Sequence, residues 1–297
     1  MFRKLVAIED PLINAGARKK LGEYAREVII HDNLPGNDDE IISRIGDADA
    51  VLVTFKTKIG RNVIEACPGI KYIGMCCTLF ESSCNIDLAA ARERGITVLG
   101  VRDYGDEGVV EYAVSETVCF LHGFGDKQWK QEKHELGGMK VGVIGLGKTG
   151  RMTADAFRFF GSDVYYYSRN RKPDAEASGI QFLPLHDLLA ACDIVMTALP
   201  RNTLLLGEEE FRIMGDGKIL INTSIGPTFD TEALKRWLDC NRNSYYFCDG
   251  TGMGTLKDEL SHINNVIYTP AVAGMSVQST GRLSEKVLAN IRQYLSE

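Results

Sequence analysis

The sequence lacks the features that mark membrane-spanning, secreted and nucleic-acid-binding chains. No apolar run approaches the roughly 20 residues that a bilayer-spanning helix needs, and no cationic start followed by an apolar stretch marks a signal peptide. The net charge of -6 disfavours nucleic acid and anionic membrane surfaces as partners. We therefore expect a cytoplasmic protein that acts on a small molecule.

Paired metal-binding cysteines are absent as well. The eight cysteines include no Cys-x-x-Cys pair, and no histidine stands at metal-ligand spacing from a cysteine pair. Most of them fall in apolar, strand-like segments, where a free thiol packs as a small hydrophobe. We predict reduced, mostly buried thiols and no metal site. Only the adjacent Cys76 and Cys77, which end a predicted strand, stay open as candidates for chemistry.

Short apolar runs alternate with amphipathic stretches along the 297 residues. This alternation is typical of βαβ units, in which parallel strands form a sheet that helices cover on both faces. A long apolar-periodic segment, 108–123, predicts a helix between a first and a second series of such units. The final stretch, 276–295, is amphipathic and predicts a helix. The predicted strands are 5–9, 27–31, 50–54, 72–76 and 97–99 in the first series, and 140–144, 163–167, 193–198, 218–222, 245–248 and 266–268 in the second.

The sharpest motif is a glycine fingerprint after the strand predicted at 140–144. Gly145, Gly147 and Gly150 follow the G-x-G-x-x-G spacing, and a helical pattern follows them. In dinucleotide-binding domains the first glycine makes a tight turn, the second lets the backbone approach the pyrophosphate, and the third lets helix and strand pack closely. The helix N-terminus presents N–H groups and a positive dipole end to the phosphates. We expect the backbone at Lys148 and Thr149 to take part.

The turn after the next strand indicates which dinucleotide binds. An NAD site places Asp or Glu about 20 residues after the glycines, where it accepts a hydrogen bond from the ribose 2′-hydroxyl. Here the turn at 168–172 carries Ser168, Arg169 and Arg171 and no carboxylate. A carboxylate would repel a 2′-phosphate, whereas a guanidinium offers it a charge-assisted contact. We therefore expect the cofactor to be NADP(H).

Further motifs resemble those of the D-isomer-specific 2-hydroxyacid dehydrogenase family over nearly the whole chain. They are Asn85-Ile-Asp-Leu, Gly95-Ile-Thr-Val, Val110-Glu-Tyr-Ala, Trp129 with Glu135-Leu-Gly-Gly, Leu199-Pro, Ile221-Asn-Thr-Ser and Tyr268-Thr-Pro. The resemblance implies an α/β fold: a Rossmann-type doubly wound parallel sheet, 107–274, inserted into a flavodoxin-like substrate domain, 1–106 plus 275–297. It places the active site in the cleft between the domains and implies a homodimer formed through the helix near Val110. The further cofactor contacts that it implies are Leu199, Pro200, Thr203, Thr223, Ser224 and Asp249.

The chain departs from the family at the catalytic residues. Family members reduce 2-keto acids with an Arg that grips the substrate, a His that donates a proton and a Glu that holds the His. The position that matches the Arg is Ile225, and the position that matches the His is Ala271. After Asp249 no carboxylate appears before Asp258. The Gly-rich turn that binds the substrate carboxylate is replaced by the bulkier segment 76–84.

Other polar residues are candidates for catalysis. Tyr104 could donate a proton to a carbonyl or imine, with Lys56 nearby to lower its pKa, and Asp106 could pair with a cationic substrate. The alternative is that Tyr104 and Asp106 belong to an interdomain hinge turn and that Lys56 is a solvated charge.

Two functions of different classes remain open. The first is an NADP(H)-dependent oxidoreductase that acts on an imine or other carbonyl group instead of a simple 2-hydroxy or 2-keto acid, since a protonated imine needs neither the Arg nor the His. The second is a catalytically silent NADPH-binding protein with a regulatory or partner-binding role. Reduction of ordinary 2-keto acids by substituted groups ranks last.

Overall fold

The computed structural model describes residues 1–201 and 203–297, with Ser82 described by its backbone alone. The chain divides into two compact units. The first unit comprises Met1–Tyr104 and Ser276–Glu297, and the second comprises Gly105–Met275. None of the described helices has the length and apolarity to cross a bilayer.

Strands and helices alternate along both units. The strands are β1 Phe2–Ala7, β2 Ala25–Ile30, β3 Ala50–Val53, β4 Tyr72–Met75, β5 Thr97–Leu99, β6 Lys140–Ile144, β7 Asp163–Tyr167, β8 Gln181–Phe182, β9 Ile194–Thr197, β10 Ile219–Asn222, β11 Tyr245–Cys248 and β12 Val266–Tyr268. The helices are α1 Ala15–Lys20, α2 Asp38–Ile45, α3 Arg61–Ala66, α4 Leu88–Glu93, α5 Asp106–His122, α6 Lys148–Phe159, α7 Pro173–Ala177, α8 Leu185–Ala191, α9 Glu208–Met214, α10 Thr231–Cys240, α11 Gly250–Met253, α12 Lys257–Leu260 and α13 Val277–Ser296. Short 3-10 turns lie at Leu21–Glu23 and Glu81–Ser83.

The first unit is built on a five-stranded parallel sheet in the order β2-β1-β3-β4-β5. One face packs against α2, α3 and α4 through residues such as Ile41, Val63 and Ala90. The other face packs against α1 and α13 through Ala17 and Leu283. Burial on both faces explains why the strands read as short continuous apolar runs. The flavodoxin-like arrangement expected from the sequence is confirmed.

The second unit is built on a seven-stranded parallel sheet in the order β12-β11-β10-β9-β6-β7-β8. The chain order reverses beside β6, because β7 and β8 extend the sheet on one side and β9 to β12 extend it on the other. This is the doubly wound Rossmann order, in which ligands bind at the carboxyl ends of the strands near the reversal. Two apolar cores cover the two faces of the sheet. The predicted Rossmann-type architecture is confirmed.

Two strand predictions need correction. The strand expected at 5–9 is β1, which runs over Phe2–Ala7 and ends before Glu9. The apolar run continues past the sheet because Ile8 is buried in the core although it lies outside the strand. The second correction is β8, a two-residue edge strand that is paired with β7 and is absent from the predicted strands. So short a strand leaves no periodicity to detect.

Glu9 is a buried carboxylate that ties β1 to the loop after β3. Glu9 is only 1% exposed. Its Oε1 accepts a hydrogen bond of 2.7 Å from the backbone N–H of Thr54, and the hydroxyls of Thr54 and Thr57 also donate to the carboxylate. A buried charge is tolerated only when such donors satisfy it. The loop that carries Lys56 is therefore held by a residue that follows the neighbouring strand β1.

We predict that Glu9→Ala destabilises the protein by about 2–4 kcal/mol, because the Thr54 N–H and two hydroxyls lose their acceptor in a buried place. Urea denaturation followed by circular dichroism measures the change. Glu23→Ala, which removes an exposed carboxylate from the same unit, is the control and should be neutral. A stability of Glu9→Ala equal to that of the control would contradict this role.

Candidate dinucleotide-binding site

The residues singled out in the second unit lie at one edge of its sheet. Because all seven strands are parallel, the turns that follow β6, β7, β9, β10 and β11 come together at the carboxyl edge. They carry the predicted cofactor contacts: the glycines after β6, Ser168 and Arg169 after β7, Leu199 and Pro200 after β9, Thr223 and Ser224 after β10, and Asp249 after β11. The fold thus assembles residues that are far apart in sequence.

The three fingerprint glycines differ in what protein packing demands of them. Gly145 has φ +96°, which favours glycine, and a Cβ there would lie 2.4 Å from the Ala198 carbonyl oxygen. A Cβ on Gly150 would lie 2.0 Å from the Gly145 carbonyl oxygen. Gly147 has an ordinary φ of -78°, and a Cβ there would meet no atom within 4 Å. Neither strain nor packing calls for glycine at position 147, whereas close approach of a pyrophosphate to the backbone does.

The N-terminus of α6 carries no side-chain cap. Gly147 is the N-cap and has no side chain that could accept from the first N–H groups of this 12-residue helix. The residues at this turn therefore fit a bound pyrophosphate: backbone donors, a dipole end and an uncrowded glycine.

Asp106 lies beside this turn, on the second unit. It is the first residue of α5, and its carboxylate accepts a hydrogen bond from the Thr149 hydroxyl. Its Oδ2 lies 3.6 Å from the Lys148 ammonium and has no hydrogen-bond donor among the described residues. Asp106 therefore joins the first turns of α5 and α6. Its contacts are with two predicted cofactor residues, so they favour a role at the cofactor helix over pairing with a cationic substrate.

In the turn after β7 the two arginines are in different states. Arg169 is exposed and forms no ion pair with any described residue. Arg171 is paired with Glu176, donating from Nε to Oε1 at 3.0 Å and from Nη2 to Oε2, and it lies over the Phe182 ring at 5.0 Å. These hydrogen bonds raise the pKa of Arg171 and hold the pKa of Glu176 below its ordinary value. Of the two predicted phosphate ligands, Arg169 alone has an unengaged guanidinium.

The turns after β9 and β10 are locked to each other. The Ser224 hydroxyl accepts from the Leu199 N–H at 3.1 Å and lies 3.3 Å from the Thr197 carbonyl oxygen, to which it donates. Asn222 Oδ1 accepts from the Ser224 N–H at 3.0 Å. Ser224 is buried, and the hydrogen bonds of its hydroxyl hold the two turns together. The other predicted contacts here, Pro200, Thr203 and Thr223, are half-buried.

The Asp249 carboxylate is fully engaged by its own chain. It caps α11 by accepting from the N–H groups of Thr251 and Gly252, at 3.1 and 2.7 Å, and from the Thr251 hydroxyl. Its Oδ2 also accepts from the Ala273 N–H at 2.8 Å. Asp249 is 1% exposed. It fixes the segment 270–273, and a contact between Asp249 and the cofactor remains a prediction.

The two positions that the resemblance matches to a catalytic Arg and His carry side chains without acid–base chemistry. Ile225 is half-buried and Ala271 is exposed. The Ala271 carbonyl oxygen accepts from the Gly250 N–H at 2.8 Å, so its backbone is fixed by α11. These residues cannot grip a carboxylate or donate a proton.

The polar contact between Thr269 and Glu116 was not predicted from the sequence. The Thr269 hydroxyl donates to Glu116 Oε1 at 3.1 Å, and the buried Tyr112 lies one turn before Glu116 on α5. Burial raises the pKa of Tyr112, and the negative charge of Glu116 raises it further. The i, i+4 spacing of Tyr112 and Glu116 on a predicted helix was the signal that could have found the pair.

The catalytic candidates of the first unit are less closely grouped than expected. Lys56 is exposed in the loop after β3, and Tyr104 is half-buried after β5. Because β4 lies between these strands, their ends are separated by two strand spacings, about 10 Å. The sheet order thus gives no support to the idea that Lys56 lowers the pKa of Tyr104. Burial raises the pKa of Cys76, which disfavours its use as a thiolate.

One group of possible metal ligands lies on the surface. His186, Glu209 and Glu210 offer ligand atoms within 4.8 Å of one another. The His186 ring lies 3.1 Å from Glu210 Oε1, so a surface ion pair or hydrogen bond accounts for the arrangement.

Comparison with known proteins identifies the family. Residues 116–273, more than half of the chain, match the model described as D-isomer specific 2-hydroxyacid dehydrogenase, NAD binding domain. The chain belongs to the D-isomer-specific 2-hydroxyacid dehydrogenase family. A hydroxypyruvate reductase of Blautia hydrogenotrophica is 27% identical over an alignment of 315 positions, which includes 98% of this chain and 97% of that protein. The second unit is thus the nucleotide-binding domain of an oxidoreductase family.

Solved structures agree on the fold. An acyclic imino acid reductase (Bsp5) in complex with NADPH and D-Arg matches with a TM-score of 0.84 at 23% identity, covering 99% of this chain and 97% of that one. The apo-structure of D-lactate dehydrogenase from Escherichia coli matches with a TM-score of 0.80 at 22% identity, with the same coverage. The choice between NAD and NADP, the homodimer and the individual site residues stay predictions.

The glycine geometry gives a paired test. We predict that Gly147→Ala leaves the thermal midpoint unchanged but weakens NADPH and NADH binding by at least about tenfold, because its Cβ clashes only with a bound pyrophosphate. Gly150→Ala should instead lower the thermal midpoint, because its Cβ would overlap the Gly145 carbonyl. Differential scanning calorimetry and fluorescence titration measure the two effects. A Gly147→Ala protein that binds both dinucleotides normally would refute the assignment.

Proposed function

We propose that this protein is an NADP(H)-dependent reductase whose substrate carries an imine or other carbonyl group and is not a simple 2-keto acid. The single observation that carries the proposal is a contrast within one sheet edge. The turn suited to a pyrophosphate is intact around Gly145, Gly147 and Gly150, while the family's substrate-gripping Arg and proton-donating His are replaced by Ile225 and Ala271. A chain that had lost all function would not be expected to keep the cofactor-binding turn while losing the catalytic residues.

The NADP preference rests on the turn after β7. Arg169 is exposed and unengaged, and Ser168 is half-buried beside it. No carboxylate lies in 168–172 to accept from a ribose 2′-hydroxyl or to repel a 2′-phosphate. A guanidinium and a hydroxyl are suitable donors to a phosphate dianion. The Arg171 guanidinium is already paired with the Glu176 carboxylate, so the preference is assigned to Ser168 and Arg169.

The substrate class follows from what the site no longer contains. When bound, NADPH supplies a hydride to an electrophilic carbon. A protonated imine is already cationic and requires no proton from the protein during reduction, so the loss of the His is tolerated. It also needs no bidentate Arg to polarise an oxygen. The same fold is found in the acyclic imino acid reductase Bsp5 in complex with NADPH and D-Arg.

The exposure and contacts of three polar residues support a proposed role for each. We propose Tyr104 and Lys56 as substrate-contacting residues, since their loops follow β5 and β3 at the carboxyl edge of the first sheet. We propose that Asp106 acts on the cofactor side, because Thr149 and Lys148 engage its carboxylate.

The second candidate function is catalytically silent NADPH binding. It is favoured by the same replacements at Ile225 and Ala271, which remove the family's acid and its carboxylate grip together. In that case the protein would bind NADPH with the same preference and reduce no substrate. Activity, and not binding, therefore separates the two candidates.

The distinguishing experiment offers NADPH with pyruvate alone and with pyruvate equilibrated with methylamine, followed by nicotinamide absorbance. We expect NADPH oxidation that depends on the amine, because the protonated imine needs no proton from the protein. Equal rates with and without amine would contradict the imine proposal. Normal NADPH binding with no oxidation across a wider panel of imines and carbonyls would favour the silent binder.

Arg169 gives a test of cofactor choice that needs no substrate. We predict that Arg169→Ala raises the Kd for NADPH by about tenfold or more and leaves the Kd for NADH unchanged, because only NADPH carries the 2′-phosphate. Fluorescence titration measures both constants. Arg212→Ala, which removes another exposed guanidinium of the second unit, is the matched control and should change neither. A parallel loss for both dinucleotides would rule out a specific phosphate contact.

A further inference from the structure

A buried tyrosine, Tyr166, holds the basic turn after β7 in place through hydrogen bonds. Tyr166 has no exposed surface, yet its hydroxyl makes two hydrogen bonds at the turn. It accepts from the Lys172 N–H at 2.6 Å and donates to Glu176 Oε1 at 2.8 Å. Lys172 is the last residue of the turn and the N-cap of α7. One hydroxyl therefore fixes both the end of the turn and the helix that follows it.

The same carboxylate that receives the Tyr166 hydroxyl also holds Arg171. Glu176 accepts from two nitrogens of this guanidinium, which lies over the Phe182 ring. Phe182 in turn meets Tyr166 edge-on, with ring centroids 5.5 Å apart. Tyr166, Arg171, Glu176 and Phe182 thus form one connected group, which we call the brace.

The brace has a consequence for the residues that it does not contain. The turn is anchored at its start by the end of β7 and at its other end by the brace, so Ser168 and Arg169 lie on a backbone with little freedom. Arg169 remains exposed and unengaged, whereas Arg171 is committed. A binding group on a preorganised loop loses less conformational entropy when its ligand arrives.

We propose that the brace determines cofactor discrimination: Tyr166 and Glu176 are positioning residues that fix the 168–172 turn so that Ser168 and Arg169 meet the 2′-phosphate of NADPH. This inference rests on the proposed preference for NADPH and goes beyond it, because it assigns the preference to buried residues that touch no cofactor. It also assigns Arg171 to the support of the turn and not to the phosphate.

A competing account makes Arg171 a direct phosphate ligand that Glu176 restrains. The two accounts predict opposite effects of removing the carboxylate. Under the competing account, Glu176→Ala frees a guanidinium and removes a negative charge near the phosphate, so NADPH binds more tightly. Under the brace, the same variant loosens the turn and NADPH binds more weakly. Glu176 lies on the partly exposed α7, where alanine is a good helix former, so the variant should fold.

The experiment measures Kd for NADPH and NADH, by fluorescence titration, for the unmodified protein, Tyr166→Phe and Glu176→Ala. We expect both variants to raise the Kd for NADPH by roughly three- to tenfold, the equivalent of one hydrogen bond, and to leave the Kd for NADH unchanged. Tyr165→Phe is the matched control: it removes a hydroxyl from the same strand that has no partner among the described residues, and it should change neither constant.

The possible outcomes distinguish failure of the brace from failure of the proposed NADPH preference. An unmodified protein that prefers NADPH, with variants that keep the preference, overturns the brace and leaves the proposed cofactor standing. Equal weakening of both dinucleotides overturns it too, since that is the sign of a general structural defect. Tighter NADPH binding by Glu176→Ala also overturns it, in favour of Arg171 as a ligand. An unmodified protein without a preference for NADPH removes the proposed cofactor and the brace together.

Discussion

The close approach of α6 to the end of β6 is the contact on which the candidate site depends. Gly145 turns sharply out of the strand with a positive φ, and Gly150 brings the first turn of the helix against the Gly145 carbonyl with no room for a Cβ. This packing places the N-terminus of α6, with its first N–H groups and positive dipole end, at the carboxyl edge of the sheet. The turns after β7, β9, β10 and β11 lie at the same edge, near the place where an anion would bind.

Much of the fold could be predicted from the sequence. Buried parallel strands read as short apolar runs, so β6, β7, β11 and β12 were predicted with the bounds that the structure shows. The errors occurred where tertiary contacts decide the local structure. Glu9 looks like the polar end of a strand, but its carboxylate accepts hydrogen bonds from Thr54 and Thr57 in the loop after β3. The edge strand β8 is too short for any pattern.

The candidate site could be predicted in residue type but not in detail. The glycine spacing and the basic turn were evident from the sequence alone, because their chemistry resides in local motifs. The division of labour between Arg169 and Arg171 was not, since it depends on Glu176 and Phe182 folding back onto the turn. In the same way Asp106 suggested a partner for a cationic substrate, whereas its carboxylate contacts the first turn of α6. Side-chain partners that come from other elements leave little trace in a single sequence.

The central claim is that the unmodified protein binds a dinucleotide and recognises its 2′-phosphate. Isothermal titration calorimetry with NADPH and with NADH, at one ionic strength, tests it most directly. The account predicts saturable heat for both and a Kd for NADPH lower by at least about tenfold, the contribution of one charge-assisted phosphate contact. Equal dissociation constants would contradict the cofactor assignment. The absence of heat with either dinucleotide would contradict the site itself.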